Sequence, residues 1–304
     1  MPASRTVAVR VPATSANLGP GFDSLGLALG LYDEVAAELL PGGPTEVQVE
    51  GQGAGELDPG EGHLVVRSLR AVLDRAGVPQ PAGVRLRCRN RIPHARGLGS
   101  SSAAICAGLL AGRALAAPDL PDDEVFALAT EIEGHPDNVA PCLTGGLTIA
   151  WTDPSGTPRK LGLSPHGEVR PVVLVPGTRL ATAEARGLLP KDVPHTDAAA
   201  NAGRAALLIA ALTRRPESGL LLAATEDRLH QTYRAPAMPG TADLVERLRA
   251  AGVPAVVSGA GPTILVFGTS DTHDSIASEV GSDWHIQLLD VDRSGASVHF
   301  PETR

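Results

Sequence analysis

An α+β architecture follows from three features of the chain. Strand-like alternation and helical spacing occur in mixed order, no steady βαβα rhythm links them, and the composition supplies a large aliphatic core. Hydrophobic residues make up 43% of the 304 and aromatics only 3%, so the interior must be built from Ala, Val, Leu and Ile, a set that suits helices packed on sheets. This length accommodates two modest domains with a shared interface. The linker-like run DPSGTPRKLGLSPHG places the boundary near residues 153–168, and the halves are drawn at 1–160 and 161–304.

Thr6 to Pro12 alternates apolar and polar side chains and reads as a strand entering the loop ATSANLGPGFDSLG, with LALGLYDEVAAEL as the next strand. The turn-rich section 42–62 carries a short strand at Val47 to Glu50, and HLVVRSLRAVLDRAG has helical spacing with Gly77 as its stop. Val84 to Arg91 alternates again as a strand, followed by an Ala/Leu-rich helix from Ser100. Asp122 to Glu133 predicts a helix, Gly134 to Asn138 the loop leaving it, and Gly145 to Trp151 a strand. In the second half, VRPVVLVP is a buried-type strand and TAEARGLL a short helix. Helices are expected over Thr196 to Thr213, Gly219 to Leu229 and Thr241 to Ala251, and PAVVSGAGPTILVFG and WHIQLLDVD as strands flanking the helix HDSIASEVG.

A formal charge of −8 argues against nucleic-acid polymers and acidic membranes as partners, because the average surface repels phosphate. A small anion needs only a local site. Cys88, Cys106 and Cys142 are an odd count without CxxC spacing, and there is no signal peptide or apolar run of about 18 residues, which predicts a cytoplasmic chain with reduced thiols.

The segment PHARGLGSSSAA, from Pro93, joins a Gly/Ser-rich turn directly to a helix. Gly97 and Gly99 let the backbone turn tightly beside a ligand, and Ser100, Ser101 and Ser102 add hydroxyls where first-turn amides lack partners and the helix dipole favours anions. A polyphosphate fits such a junction; so does an ordinary helix N-cap. It is neither GxxxxGK[ST] nor GxGxxG after a strand, and the chain has only Lys160 and Lys191.

In the first loop, Asn17 and Asp23 lie among glycines, placed to meet a ligand or simply to close an Asx turn. In EIEGHPDNVAPCLTGG, Glu131 and Glu133 precede a turn presenting His135, Asp137 and Asn138. One carboxylate suffices for Mg²⁺ at a phosphate site, and residues i and i+2 point to different helix faces, so only one of the pair can aim at the phosphate loop. VSGAGPTILVF offers Gly259 and Gly261 beside a strand, as a ligand approach or a bulge. A planar guanidinium binds carboxylates bidentately, so a carboxylate ligand would call for one or two arginines, with Arg186 and Arg234 as candidates among 24 of which most are surface residues.

Taken together, VPATSANLGPGFD, PHARGLGSSSAA, EGHPDNVAP and SGAGPT, in that order, resemble the GHMP kinase superfamily, and within it the homoserine kinase family. The resemblance implies an N-terminal half like ribosomal protein S5 domain 2, a ferredoxin-like C-terminal half, ATP and Mg²⁺ as cofactors, L-homoserine as acceptor and a homodimer. It implies ATP contacts at Pro93, Arg96, Gly97, Leu98, Gly99, Ser100, Ser101, Ser102, Gly259 and Gly261, and metal contacts at Ser100 and one glutamate. Asn17 matches the position at the substrate hydroxyl, Asp23 that near its ammonium, and Arg186 and Arg234 those gripping its carboxylate. His135 and Asn138 fall in the substrate-side motif, and Thr182 lies by the phosphoryl path. The spacer between metal glutamate and histidine is short here, which divides the metal role between Glu133, the favoured residue, and Glu131. The resemblance also implies no dedicated general base. Rival readings are a kinase of the same superfamily acting on a sugar or mevalonate-like alcohol, and a non-catalytic nucleotide-binding module.

Overall fold

A computed structural model describes residues 5–268, 276 and 279–301. Two sheets organise it. The first has seven strands: β1 (Thr6–Ala16), β2 (Leu25–Leu40), β3 (Glu46–Gly51), β4 (Gly83–Asn90), β5 (Leu147–Thr152), β6 (Pro158–Leu163) and β11 (Ser297–His299). Its main path runs β11-β1-β2-β4-β3, while the start of β2 also pairs with β5, which carries β6 on its other side. Among the described residues the one parallel pair is β3 with β4, whose connection is the helix α1 (Leu64–Arg75), as a parallel crossover requires. The second sheet, β10-β7-β9-β8, is antiparallel and joins β7 (Arg170–Pro176), β8 (Ala255–Val257), β9 (Ile264–Gly268) and β10 (Trp284–Leu288).

The helices α2 (Ser100–Ala116), α3 (Asp122–Glu133) and α4 (Pro136–Thr144) cover the first sheet. Gly108 lets α2 approach α1, since a Cβ there would lie 2.4 Å from the Val65 carbonyl. One core runs through both halves: Val9, Leu27, Leu86, Ile105 and Phe126 are continuous with Val173, Val175 and Phe267. The alternate residues of β7, Val172 and Leu174, enter a second cluster with Leu244 and Leu248 of α9 (Pro239–Ala250). Burial of both strand faces explains why VRPVVLVP is apolar without alternation.

Several expectations need correction. The linker-like run contains β6, because a polar, exposed edge strand carries little apolar signal. The division drawn at 160/161 falls inside this strand, and β11 brings the chain back to the first sheet beside β1. The loop expected at 134–138 is helical from Pro136, a proline well suited to a first helical turn. The stretch PAVVSGAGPTILVFG is two strands separated by a turn at 258–263. The helix expected over Gly219 to Leu229 is α7 (Ser218–Ala224), followed by α8 (Gln231–Arg234) and a 3₁₀ turn at Ala235–Ala237. Helices α5 (Thr182–Gly187) and α6 (His195–Arg214) lie as expected. The helix HDSIASEVG falls largely outside the described residues.

Candidate active site

The end of β1, the loop before α2, the α3–α4 junction, α5, α8 and the 258–263 turn converge on a cleft of about 260 Å³. Asn17, Asp23, Arg96, Gly97, Gly99, Ser100, Ser101, Glu133, His135, Asn138, Thr182, Arg186, Arg234 and Gly259 all line it. Thus residues separated by over 200 positions in the chain share one space.

The Gly97–Ser101 backbone is tightly enclosed. Gly99 sits at φ 69°, and a Cβ there would lie 2.0 Å from Thr14 Oγ1. Gly97, at φ 74°, packs on the SGAGP turn, where a Cβ would meet the Ser258 carbonyl at 2.2 Å; Ser258 Oγ in turn donates to the Gly97 carbonyl at 2.6 Å. The two glycine motifs are therefore partners in one packing contact. Leu98 points into the core, so it can offer a ligand only its backbone. Ser101 and Ser102 donate to the two carboxylate oxygens of Glu133 at 2.6 and 2.7 Å.

Glu131 lies elsewhere: it pairs with Arg75 on the exposed side and does not line the cleft. Pro93 and Gly261 are also off the cleft lining, and the Arg96 guanidinium donates to the carbonyls of His94, Pro176 and Gly177.

Asn17 is buried and held at φ 68°. Its Oδ1 accepts from the Asp23 N–H at 2.9 Å and its Nδ2 donates to the Gly259 carbonyl at 2.8 Å. Asp23 and Arg186 form a bidentate pair at 2.8 and 3.0 Å. Each of these two charges is half of what an amino-acid zwitterion presents. Arg234 is 2% exposed, with a buried Nε that has no hydrogen-bond partner. Burial, then the nearby Arg186, push its pKa down, yet a guanidinium stays charged at any physiological pH. A buried cation that lines a cleft with no carboxylate paired to it among the described residues calls for an anionic ligand group.

His135 Nδ1 lies 2.8 Å from Oδ1 of the buried Asp137. Burial alone would lower the His135 pKa, but the hydrogen bond and charge of Asp137, with Glu133 nearby, outweigh it and the net shift is upward. Asn138 Oδ1 accepts from Thr14 Oγ1 at 2.8 Å, tying α4 to β1. Asp137 stands out in the sequence only as part of its motif; burial and its contact with Nδ1 let it fix the imidazole.

A second cavity, about 320 Å³, adjoins the start of α2 at Ser100 and Ser101 and is lined by Val11, Leu57, His63, Val65 and His94. Asp33 also borders it, accepting the N–H groups of Arg91 and Ile92, and burial pushes its pKa up to about 6. Val11 and His94 belong to two of the motifs, but Asp33, Leu57, His63 and Val65 lie outside all four, so nothing in the sequence pattern marks them. Neither Lys160 nor Lys191 lines either cavity.

The GHMP kinase N-terminal domain model matches residues 63–146 and the GHMP kinase C-terminal model residues 198–286. A homoserine kinase of Streptomyces coelicolor is 57% identical over 302 residues, covering 98% of this chain and 96% of its own length. One from Clavibacter michiganensis is 52% identical, covering 97% and 94%. The crystal structure of homoserine kinase from Cytophaga hutchinsonii superposes with a TM-score of 0.83 at 26% identity, covering 98% and 99%. The chain has the two-domain GHMP kinase fold and belongs to the GHMP kinase family.

Proposed function

We propose that the chain transfers the γ-phosphoryl group of ATP to the side-chain hydroxyl of L-homoserine, giving ADP and O-phospho-L-homoserine for threonine biosynthesis. The observation that carries this reading is the composition of the cleft: a zwitterion-matched pair, Asp23 and Arg186, and the buried Arg234, whose Nε has no hydrogen-bond partner, share one cavity with the Gly97–Ser101 loop. Full-length relatives named homoserine kinase support it.

In this reading the nucleoside occupies the cavity beside Ser100, and the loop amides with Ser100 and Ser101 hold the phosphates. Ser100 and Glu133, which line the cleft together, would offer Mg²⁺ an oxygen-only donor set, whose other positions phosphate and water would fill. Bound there, the ion would offset charge on the β- and γ-phosphates. Asn17 orients the attacking hydroxyl, Thr182 stands beside the path of the phosphoryl group, and Arg234 and Arg186 grip the carboxylate while Asp23 meets the ammonium. His135 is already committed to Asp137 and no lysine lines the cleft. Catalysis then rests on in-line positioning and charge neutralisation, which can supply most of the acceleration for phosphoryl transfer. The working assembly in this reading is a homodimer, which light scattering tests.

The decisive measurement is ADP release with homoserine, mevalonate, galactose and 3-aminopropan-1-ol, with ³¹P detection of the phosphomonoester. Homoserine alone is expected to turn over efficiently. Equal turnover of the carboxylate-free amino alcohol would overturn the assignment.

A further inference from the structure

His230 is fully buried and immediately precedes α8. Its Nε2 lies 2.8 Å from the Gly19 carbonyl and its Nδ1 3.2 Å from Nη1 of Arg234. A carbonyl only accepts, so Nε2 must carry a proton; a guanidinium only donates, so Nδ1 must be bare. Only the neutral Nε2–H tautomer satisfies both contacts. Burial pushes the His230 pKa down, which favours that neutral ring. The charged groups around it are Asp227, Asp23 and Arg234. Asp227 lies 3.7 Å from Nε2, and its carboxylate is already occupied by the N–H groups of Leu229, His230 and Gln231, which fixes the turn before α8.

The ring therefore stands between two parts of the cleft. On one side is the loop that carries Asn17 and Asp23, which it reaches through Gly19 and through stacking on Phe22 at 5.1 Å. On the other is Arg234, one helical turn later, whose guanidinium has, among the described residues, one further hydrogen bond, a 3.3 Å contact from Nη1 to the Gly259 carbonyl. Without His230 the guanidinium would keep one long contact inside a buried site.

The geometry points to His230 as a positioning residue for the amino-acid end of the cleft: it accepts a hydrogen bond from Arg234 while donating to Gly19, setting the carboxylate-binding guanidinium against the Asn17–Asp23 loop. This rests on the homoserine reading given above. The two contacts separate by substitution, because an asparagine amide oxygen takes the place of Nδ1 and a glutamine amide nitrogen the place of Nε2. His230→Gln keeps the donor to Gly19 and loses the acceptor for Arg234. It is expected to raise the homoserine KM about tenfold, the size of one hydrogen bond to a charged group, with the ATP KM within about twofold. His230→Asn restores the acceptor and should hold the homoserine KM within about threefold of the parent.

Equal losses in the two variants, or an ATP KM that moves with the homoserine KM, overturn the proposal. The ¹⁵N spectrum of the unsubstituted protein needs no variant: it must show His230 as neutral Nε2–H at pH 7, and the Nδ1–H tautomer or an imidazolium overturns the proposal equally. The acceptor series separates the two levels. An unsubstituted enzyme that ignores the carboxylate defeats the homoserine reading, whereas a selective enzyme with an unchanged homoserine KM in His230→Gln defeats the role of His230 alone.

Discussion

Arg234 and His135 illustrate how burial assigns work to side chains that the sequence can only nominate. Arg234 is one of 24 arginines, obtained from 26 basic residues less the two lysines, and its motif HQTYR has no periodicity that separates it from a surface arginine. What distinguishes it is 2% exposure and a buried Nε without a partner. Arg234→Ala is expected to raise the homoserine KM about 10- to 100-fold while the ATP KM stays within about threefold, since hydrogen bonds to charged groups contribute roughly 1.5–3 kcal/mol. Steady-state kinetics with each substrate varied check this. His135 offers a pH test. Its pKa is raised in the folded protein by Asp137, so the pair adds stability in full below the unfolded value of about 6.5 and loses it as pH rises through the raised folded value. The melting-temperature gap between the parent and His135→Gln should be widest near pH 5.5 and shrink toward pH 8.5. A gap independent of pH would contradict the assignment.

At the scale of elements, the strand, turn and helix signals around the phosphate loop were legible because they are local. Gly97 and Gly99 break the backbone, and the Ala/Leu run after Ser100 can only be a helix. The reason for glycine at these positions is not local. Gly99 excludes a side chain because Thr14 of β1 stands 2.0 Å from where a Cβ would be, and Gly97 because Ser258 crosses over it. Gly99→Val should therefore reduce kcat/KM for both substrates by at least about 100-fold, in keeping with the effect of a displacement of about 1 Å at a reacting centre. Gly156→Ala, at φ 84° in the β5–β6 hairpin with open space around it, should cost only about 1 kcal/mol of left-handed strain and leave the kinetics unchanged. Thermal melts and initial rates on the pair distinguish these outcomes. The choice between Glu133 and Glu131 belongs here as well. Their spacing on α3 guaranteed that they diverge, but only packing against α2 and α1 decided that Glu133 meets Ser101 and Ser102 while Glu131 meets Arg75.

Across the whole molecule, the cleft depends on contacts between distant segments: Asn17 with Gly259, Asp23 with Arg186, and Gly19 with His230. The described helices include none long and apolar enough to cross a membrane. The last strand, β11, pairs with β1, whose far end carries the Asn17 loop. Removing residues 296–301 would strip that partner from β1 and is expected to lower Tm by about 5 °C or more, read by scanning calorimetry; an unchanged Tm would show that the pairing contributes nothing. The amino-acid sequence by itself determined the α+β class, most elements and the four motifs that carry the family, because these rest on periodicity, backbone-special residues and motif order. Only the tertiary structure decided the exposed strands β6 and β11, the lining of the cavity beside Ser100, the separation of the two glutamates and the place of His230. Each of those depends on which distant side chains exclude water or supply a hydrogen-bond partner, and that information has no expression in the spacing of residues along the chain.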